Sequence, residues 1–291
     1  MMELHELIRK RLSEEKEVAG LVTRFHESPA IFTPKAPADE DEGWGGLPCY
    51  PRITFGVDLS VKEERKCQGS MSLTVSAENN GTFDFENAVS QIKKCLCSVL
   101  FTPEGGSAYC LAWNCSGGFT AGEANIGSQE MQLDILEYPC QLSVEPDPVD
   151  SLNTWLKGNF PKSRVLWMDQ PGQEEVITDG TPVFYVRLEE EKENQAQSTF
   201  AVTWMTCTLA VHVLCESAEN RSCYTRIMAK NLSVEEEFAM LDGSPFFVKE
   251  ISVTPGADYL RTGQVRITGQ YGVLRHTERK KTIREIQSNY Q

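Results

Sequence analysis

The 291-residue sequence is poor in positive charge: 28 Lys and Arg stand against 42 Asp and Glu, for a formal net charge of −14. That balance argues against a nucleic-acid groove spread over the surface. Histidine is scarce. His5, His26, His212 and His276 stand singly, and none forms an H-E-x-x-H pair. No glycine-rich phosphate loop is present, because SGGFTAGEANIG has glycines without a lysine–serine pair or dinucleotide-binding spacing. No G-x-S-x-G elbow marks a nucleophile. The amino-terminal MMELHELIRKRLSEEKEVAG is charged throughout and does not read as a signal peptide. The longest uncharged run, Asn194–Cys215, is too rich in Thr and other polar residues for a bilayer helix. Its β-branched centre reads as a long strand, or as two strands joined by a bulge. These absences together point away from an enzyme, a cofactor site and a membrane protein.

What is present is a globular composition, 40% hydrophobic, on a chain long enough for two domains with cores of their own. Ten cysteines are diluted along it, mostly beside apolar neighbours, as in KKCLCSVLF and MTCTLAV. They read as reduced, buried thiols. Cys95 and Cys97 are two apart on a predicted helix, which is not ligand spacing. Cys110 and Cys115 lack two further partners for zinc. No metal is expected. Acid runs such as DEDE and LEEEKE read as solvated loops or strand ends. The five tryptophans form no ladder among bases that would stack single-stranded nucleic acid.

The periodicities fall into two parallel series. In the first, Leu4, Leu7, Ile8 and Leu12 recur at helical spacing. A Pro/Gly loop with an acid run leads to the alternating strand ITFGVDLS and then to SMSLTVSAE. FDFENAVSQIKKCLCSVLF is an amphipathic helix that Asp84 starts. YCLAWNCSGGF, read as a strand and turn, and IGSQEMQLDILEYP close the series. In the second, DPVDSLNTWLKGNF is a short helix, RVLWM a short strand and PGQEEVITDGTP a loop. The strand VFYVRLEEE and the long TFAVTWMTCTLAVHVL follow. NRSCYTRIMAKNLSV is a weaker helix, and PFFVKEISVTPG and RTGQVRITGQYGVL are the last strands. The expected fold is α+β: two similar units, each an antiparallel or mixed sheet with helices on one face. The expected division is 1–143, 144–275 and a basic tail at 276–291, with a junction in the proline- and acid-rich Cys140–Asp150.

The order of these segments resembles that of the tail terminator and tail completion proteins of long-tailed bacteriophages. In that family a proline-led strand like PRITFGVDLS follows a first helix. A second strand ends the hairpin, a helix crosses, and a late pair ends in a segment like LDILEYP. The resemblance covers nearly the whole chain as two copies. It rests on order, and it brings no catalytic signature. It implies a non-enzymatic structural protein that caps or completes a tail tube or joins it to the neck. Such a protein would be assembled in the bacterial cytoplasm and carried in the virion tail or a prophage-derived particle. Family members are usually single units that form a ring, commonly a hexamer. A doubled chain therefore implies a trimeric pseudo-hexamer bound to tail tube or neck proteins. Another phage neck or baseplate adaptor and a cytosolic protein-binding module are the rival readings; an enzyme comes third. Partner contact is expected from three places: the DEDEGWGG loop near Trp44, the LEEEKENQ connection, and the basic end that carries Arg275, Arg279, Lys280, Lys281 and Arg284. That end, RHTERKKTIREIQSNYQ, has five bases and two acids, opposite in sign to the body.

Overall fold

The computed structural model describes residues 3–104, 106–122, 125–169 and 172–275. The first half opens with α1 (Leu4–Glu14), whose Leu4, Leu7, Ile8 and Leu12 are the buried stripe, and the single turn α2 (Lys16–Ala19). A small hairpin of β1 (Arg24–Phe25) and β2 (Ser28–Pro29) leads to β3 (Ile31–Phe32), β4 (Arg52–Asp58) and β5 (Gly69–Glu78). Helix α3 (Phe85–Leu96) follows. Asp84 caps it by accepting from the Asn87 amide at 2.9 Å. The strands β6 (Val99–Phe101), β7 (Ser107–Ala121) and β8 (Ile126–Pro139) complete this half. The second half runs α4 (Pro148–Asn159), β9 (Arg164–Val165), β10 (Glu174–Val176), β11 (Val183–Glu193), β12 (Val202–Leu214), α5 (Ala218–Glu235), β13 (Glu237–Ala239), β14 (Pro245–Val253) and β15 (Val265–Leu274). The fold is mixed α+β and mostly sheet.

Among the described residues there are two large sheets, ordered β10-β6-β7-β8-β5-β4-β3 and β13-β14-β15-β12-β11-β9. Set β10 aside and the two orders correspond strand for strand. In each, the short first strand runs parallel to the next, β3 with β4 and β9 with β11. The remaining pairs in each are antiparallel. Each sheet covers one face with its own helices. Ile53, Phe55, Leu73, Val75 and Leu133 share a core with Leu7 and Ile8 of α1 and Ile92 of α3. Phe184, Leu209, Val211 and Ile267 share one with Leu152 and Leu156 of α4 and Met228 and Leu232 of α5. The alternation in each strand is what puts these side chains on one face.

Several segments differ from the sequence reading. The loop PGQEEVITDGTP contains β10, which leaves the second half and pairs antiparallel with β6, Glu174 opposite Phe101 and Val176 opposite Val99. Three residues are too few to show a period, and the pairing is made by backbone groups that any side chain permits. The Ile177 amide donates to the Ser98 carbonyl at 2.9 Å and extends the seam. The 143/144 division is therefore crossed by a strand. LEEEKE is not a connection: β11 continues through it to Glu193, opposite Met205 of β12, with a register shift between Leu188 and Glu190. β7 likewise runs on through Gly117 and Gly118, its pairing to β8 shifted twice. The weak helix signal of NRSCYTRIMAKNLSV becomes α5, 18 residues long. It buries only Thr225, Met228 and Leu232, which is why its stripe was faint.

Ile177 is 2% exposed and belongs to an apolar cluster shared by both halves. Ile177→Ala should cost about 2–4 kcal/mol, and the whole chain should unfold in one urea transition followed by circular dichroism. Two separated transitions, with the variant's midpoints unmoved, would contradict a shared core.

Candidate functional site

The shared cluster is where the two halves of the chain meet. Leu100, Ala108, Cys110, Leu136 and Tyr138 point off the back of the first sheet. They meet Leu166, Ile177, Val183, Tyr185, Leu214 and Leu260 from the second half. At this junction both faces of the strands are covered. VFYV at 183–186 and LAVHVLC at 209–215 are buried at every position. Unbroken apolar runs of this kind mark strands covered on two sides. That signal was legible in the sequence and not used.

Most polar groups of the junction are paired; Glu174 Oε1 on the crossing strand is buried without a hydrogen-bond partner among the described residues. Asp134 is 3% exposed. Its carboxylate accepts from Arg261 Nη2 at 2.7 Å, Asn114 Nδ2 at 3.0 Å and Arg65 Nη1 at 3.3 Å. Arg261 also reaches Asp258 at 2.6 Å. The Tyr138 hydroxyl donates to the Leu260 carbonyl at 3.0 Å, and burial pushes its pKa well above the usual phenol value. Trp167 Nε1 donates to the Tyr138 carbonyl at 3.2 Å. Gln141 lies along the edge of β11 like a fragment of strand: its Nε2 donates to the Val186 carbonyl at 2.7 Å, and its Oε1 accepts from the Leu188 amide at 3.2 Å. On the α1 side, burial raises the pKa of Glu174 in β10, and Lys10 and Arg11 offset part of that rise.

A cleft of about 300 Å³ opens beside the junction, lined by Lys66, Tyr138, Tyr185, Arg187, His212 and Arg261. Its histidine has no nitrogen to spare. Nδ1 lies 2.8 Å from the Tyr259 carbonyl, to which it donates, and Nε2 accepts from Arg187 Nε at 3.2 Å. Burial pushes the His212 pKa down to about 4. The ring is thus neutral at pH 7, with both nitrogens committed to structure. Arg187 is tied to Glu189 and Arg261 to two aspartates. The arrangement locks two sheets together, and its Arg187, His212 and Arg261 are all committed to internal partners.

Comparison with protein-family models, curated proteins and solved structures gave no match.

The predicted contact residues are spread apart. Trp44 was expected on a partner-facing loop, but it is 3% exposed. Its ring meets Phe25 and Phe32 edge-on, and Nε1 donates to the Ala38 carbonyl at 2.9 Å. As the largest apolar group of an acidic loop it anchors that loop and leaves Glu40 and Glu42 outside. Arg275 stands at the end of β15. It donates to Thr203 Oγ1 at 2.6 Å and pairs with Glu193 at 3.2 Å. Arg279, Lys280, Lys281 and Arg284 lie outside the described residues. Cys95, Cys110, Cys207 and Cys215 are buried, while Cys115, Cys140 and Cys223 are exposed. Among the described residues no group of three or more His, Cys, Asp or Glu is placed to hold a metal, and no helix is long and apolar enough to cross a membrane.

His212 gives the junction a pH signature. The unfolded chain takes up a proton near the ordinary histidine pKa, and the folded chain only near 4. Folding stability should thus be insensitive to this group above about pH 6.5. It should fall by up to roughly 3 kcal/mol as pH drops from about 6.5 toward about 4. Urea titrations at about pH 7.5 and about pH 5 should show this loss in the wild type, and His212→Gln should lose less between the same two pH values.

Proposed function

We propose that the chain is a non-enzymatic structural protein of a bacteriophage or prophage tail. It is built from two copies of a tail-terminator-like unit, and it caps or completes the tail tube or joins it to the neck by protein–protein contacts. The observation that carries this reading is the strand-for-strand correspondence of the two sheets, with α1 and α4, and α3 and α5, at matching points of the order. Letter identity between the halves is slight, so the likeness lies in topology.

Two features support a role in contacts over one in chemistry. In the junction cleft Arg187 and Arg261 are spent on internal pairs. The two equivalent hairpin tips, between β4 and β5 and between β11 and β12, both expose apolar residues: Leu59 and Val61 on the first, and Phe200, 86% exposed, on the second. Matching loops that present apolar groups suit a contact that recurs from unit to unit. A contact that recurs along a closed path makes a ring. One chain supplies two positions, so three chains supply six. The proposed assembly is a trimeric pseudo-hexamer on the tail tube, formed there and not required in free solution.

A reconstruction of the tail end containing this protein should show three chains in one ring around the tube axis. Six full chains in the ring, or no density for the chain in the particle, would overturn the proposal. Phe200→Ser should leave the unfolding midpoint nearly unchanged, since the residue is exposed, and should reduce incorporation into particles measured by quantitative mass spectrometry.

A further inference from the structure

We propose that residues 276–291 dock in the groove between the carboxyl-terminal end of α5 and β14 of their own chain. The groove has a volume of about 490 Å³. The half-buried Phe247 and Ile251 supply its apolar floor, and Glu236, Glu237 and Glu250 its rim. The end of α5 adds the negative pole of the helix dipole. The backbone is open as well. β13 pairs with β14 only at Pro245–Phe247, so from Lys249 to Val253 the edge of β14 away from β15 meets no strand among the described residues. Apolar floor, acidic rim and open strand edge together call for a basic segment that carries some apolar side chains.

The segment after Arg275 has that chemistry. It holds Arg279, Lys280, Lys281 and Arg284 against Glu278 and Glu285, with Ile283 and Ile286 among them. It also starts in the right place. Gln270 of β15 lies opposite Phe247 of β14, which lines the groove, and the next strand out is β13. At about 4.8 Å between neighbouring strands, the exit of β15 is roughly 10 Å across the sheet from β13. Arg275 lies five residues beyond Gln270, about 17 Å farther along the sheet, so the groove is roughly 20 Å from the exit; the residues after Arg275 reach up to about 50 Å when extended, more than twice that distance.

Most of the other acidic surface near the exit is already neutralised, and Glu191 accepts from the Tyr271 hydroxyl. On β11, Glu189 is held by Arg187 and Arg266, Glu190 by Lys192 and Glu193 by Arg275. Glu236, Glu237 and Glu250 make no ion pair with any described residue. The neighbouring Lys249 has its ammonium over the Phe247 ring, 5.6 Å from the centroid. The inference does not depend on the tail reading, because it concerns the free chain.

Hydrogen exchange on the full-length protein at low salt tests it. Wild type is compared with the triple variant Glu236→Lys, Glu237→Lys, Glu250→Lys, with the quadruple variant Arg279→Glu, Lys280→Glu, Lys281→Glu, Arg284→Glu, and with both sets combined. Urea midpoints verify that each is folded. Amides of 249–253 and of 276–291 should exchange about tenfold or more slowly in wild type than in either reversed variant. The combined variant should regain the protection, and about 0.5 M salt should weaken it in wild type. Protection should not change with protein concentration. Exchange of 276–291 at free-peptide rates in wild type would overturn the proposal. So would failure of the combined variant to regain protection, or protection lost on dilution, which would assign the groove to a second copy.

Discussion

Each of the two sheets has helices on one face, and the rest of the structure depends on how part of the other face is removed from water. The backs are covered where β6, β7 and β8 meet β11, β12 and the loop carrying Leu260. Fully burying a side chain of the size of Leu136 or Leu214 is worth roughly 1.5–3 kcal/mol, and the shared cluster contains several. That gain fixes the two halves against each other. It also sets the terms for every polar group inside. Asp134 stays buried because Arg261, Arg65 and Asn114 converge on it. His212 stays neutral because protonation would put a charge where water cannot follow.

The crossing strand β10 belongs to the same solution. A free edge on β6 would leave backbone groups unpaired beside an apolar surface. The second half fills it with Glu174–Val176, and Ile177 then drops into the shared core. The corresponding edge in the second sheet, on β13, has no such cover among the described residues. Two halves of matching topology thus differ in what covers their edges. This asymmetry leaves an edge of the second sheet without a strand partner among the described residues.

Much of this was legible in the sequence wherever a period runs long enough to be counted. Leu4, Leu7, Ile8 and Leu12 announced α1, and Ile53, Phe55, Met71, Leu73 and Val75 announced the first hairpin's core face. Asp84 before α3 marked the start of that helix correctly. Trp44 was misplaced because neighbouring charge says a loop is solvated, not which way one ring within it turns. β10 was missed because three residues carry no period. α5 was faint because a helix at the edge of a core needs few buried residues.

The sequence by itself determined the order of the main helices and long strands and the side of each long strand that meets its own helices. Those are local matters, set by side-chain periods of about 3.6 and about 2 residues. It also held, in VFYV and LAVHVLC, the mark of strands covered on both faces. Only the tertiary structure decided what does the covering. The back of one sheet meets the back of the other, a strand changes sheets to finish an edge, and Asp134 finds Arg261 across 127 positions of chain. Such contacts join residues far apart in sequence, and no local period records them.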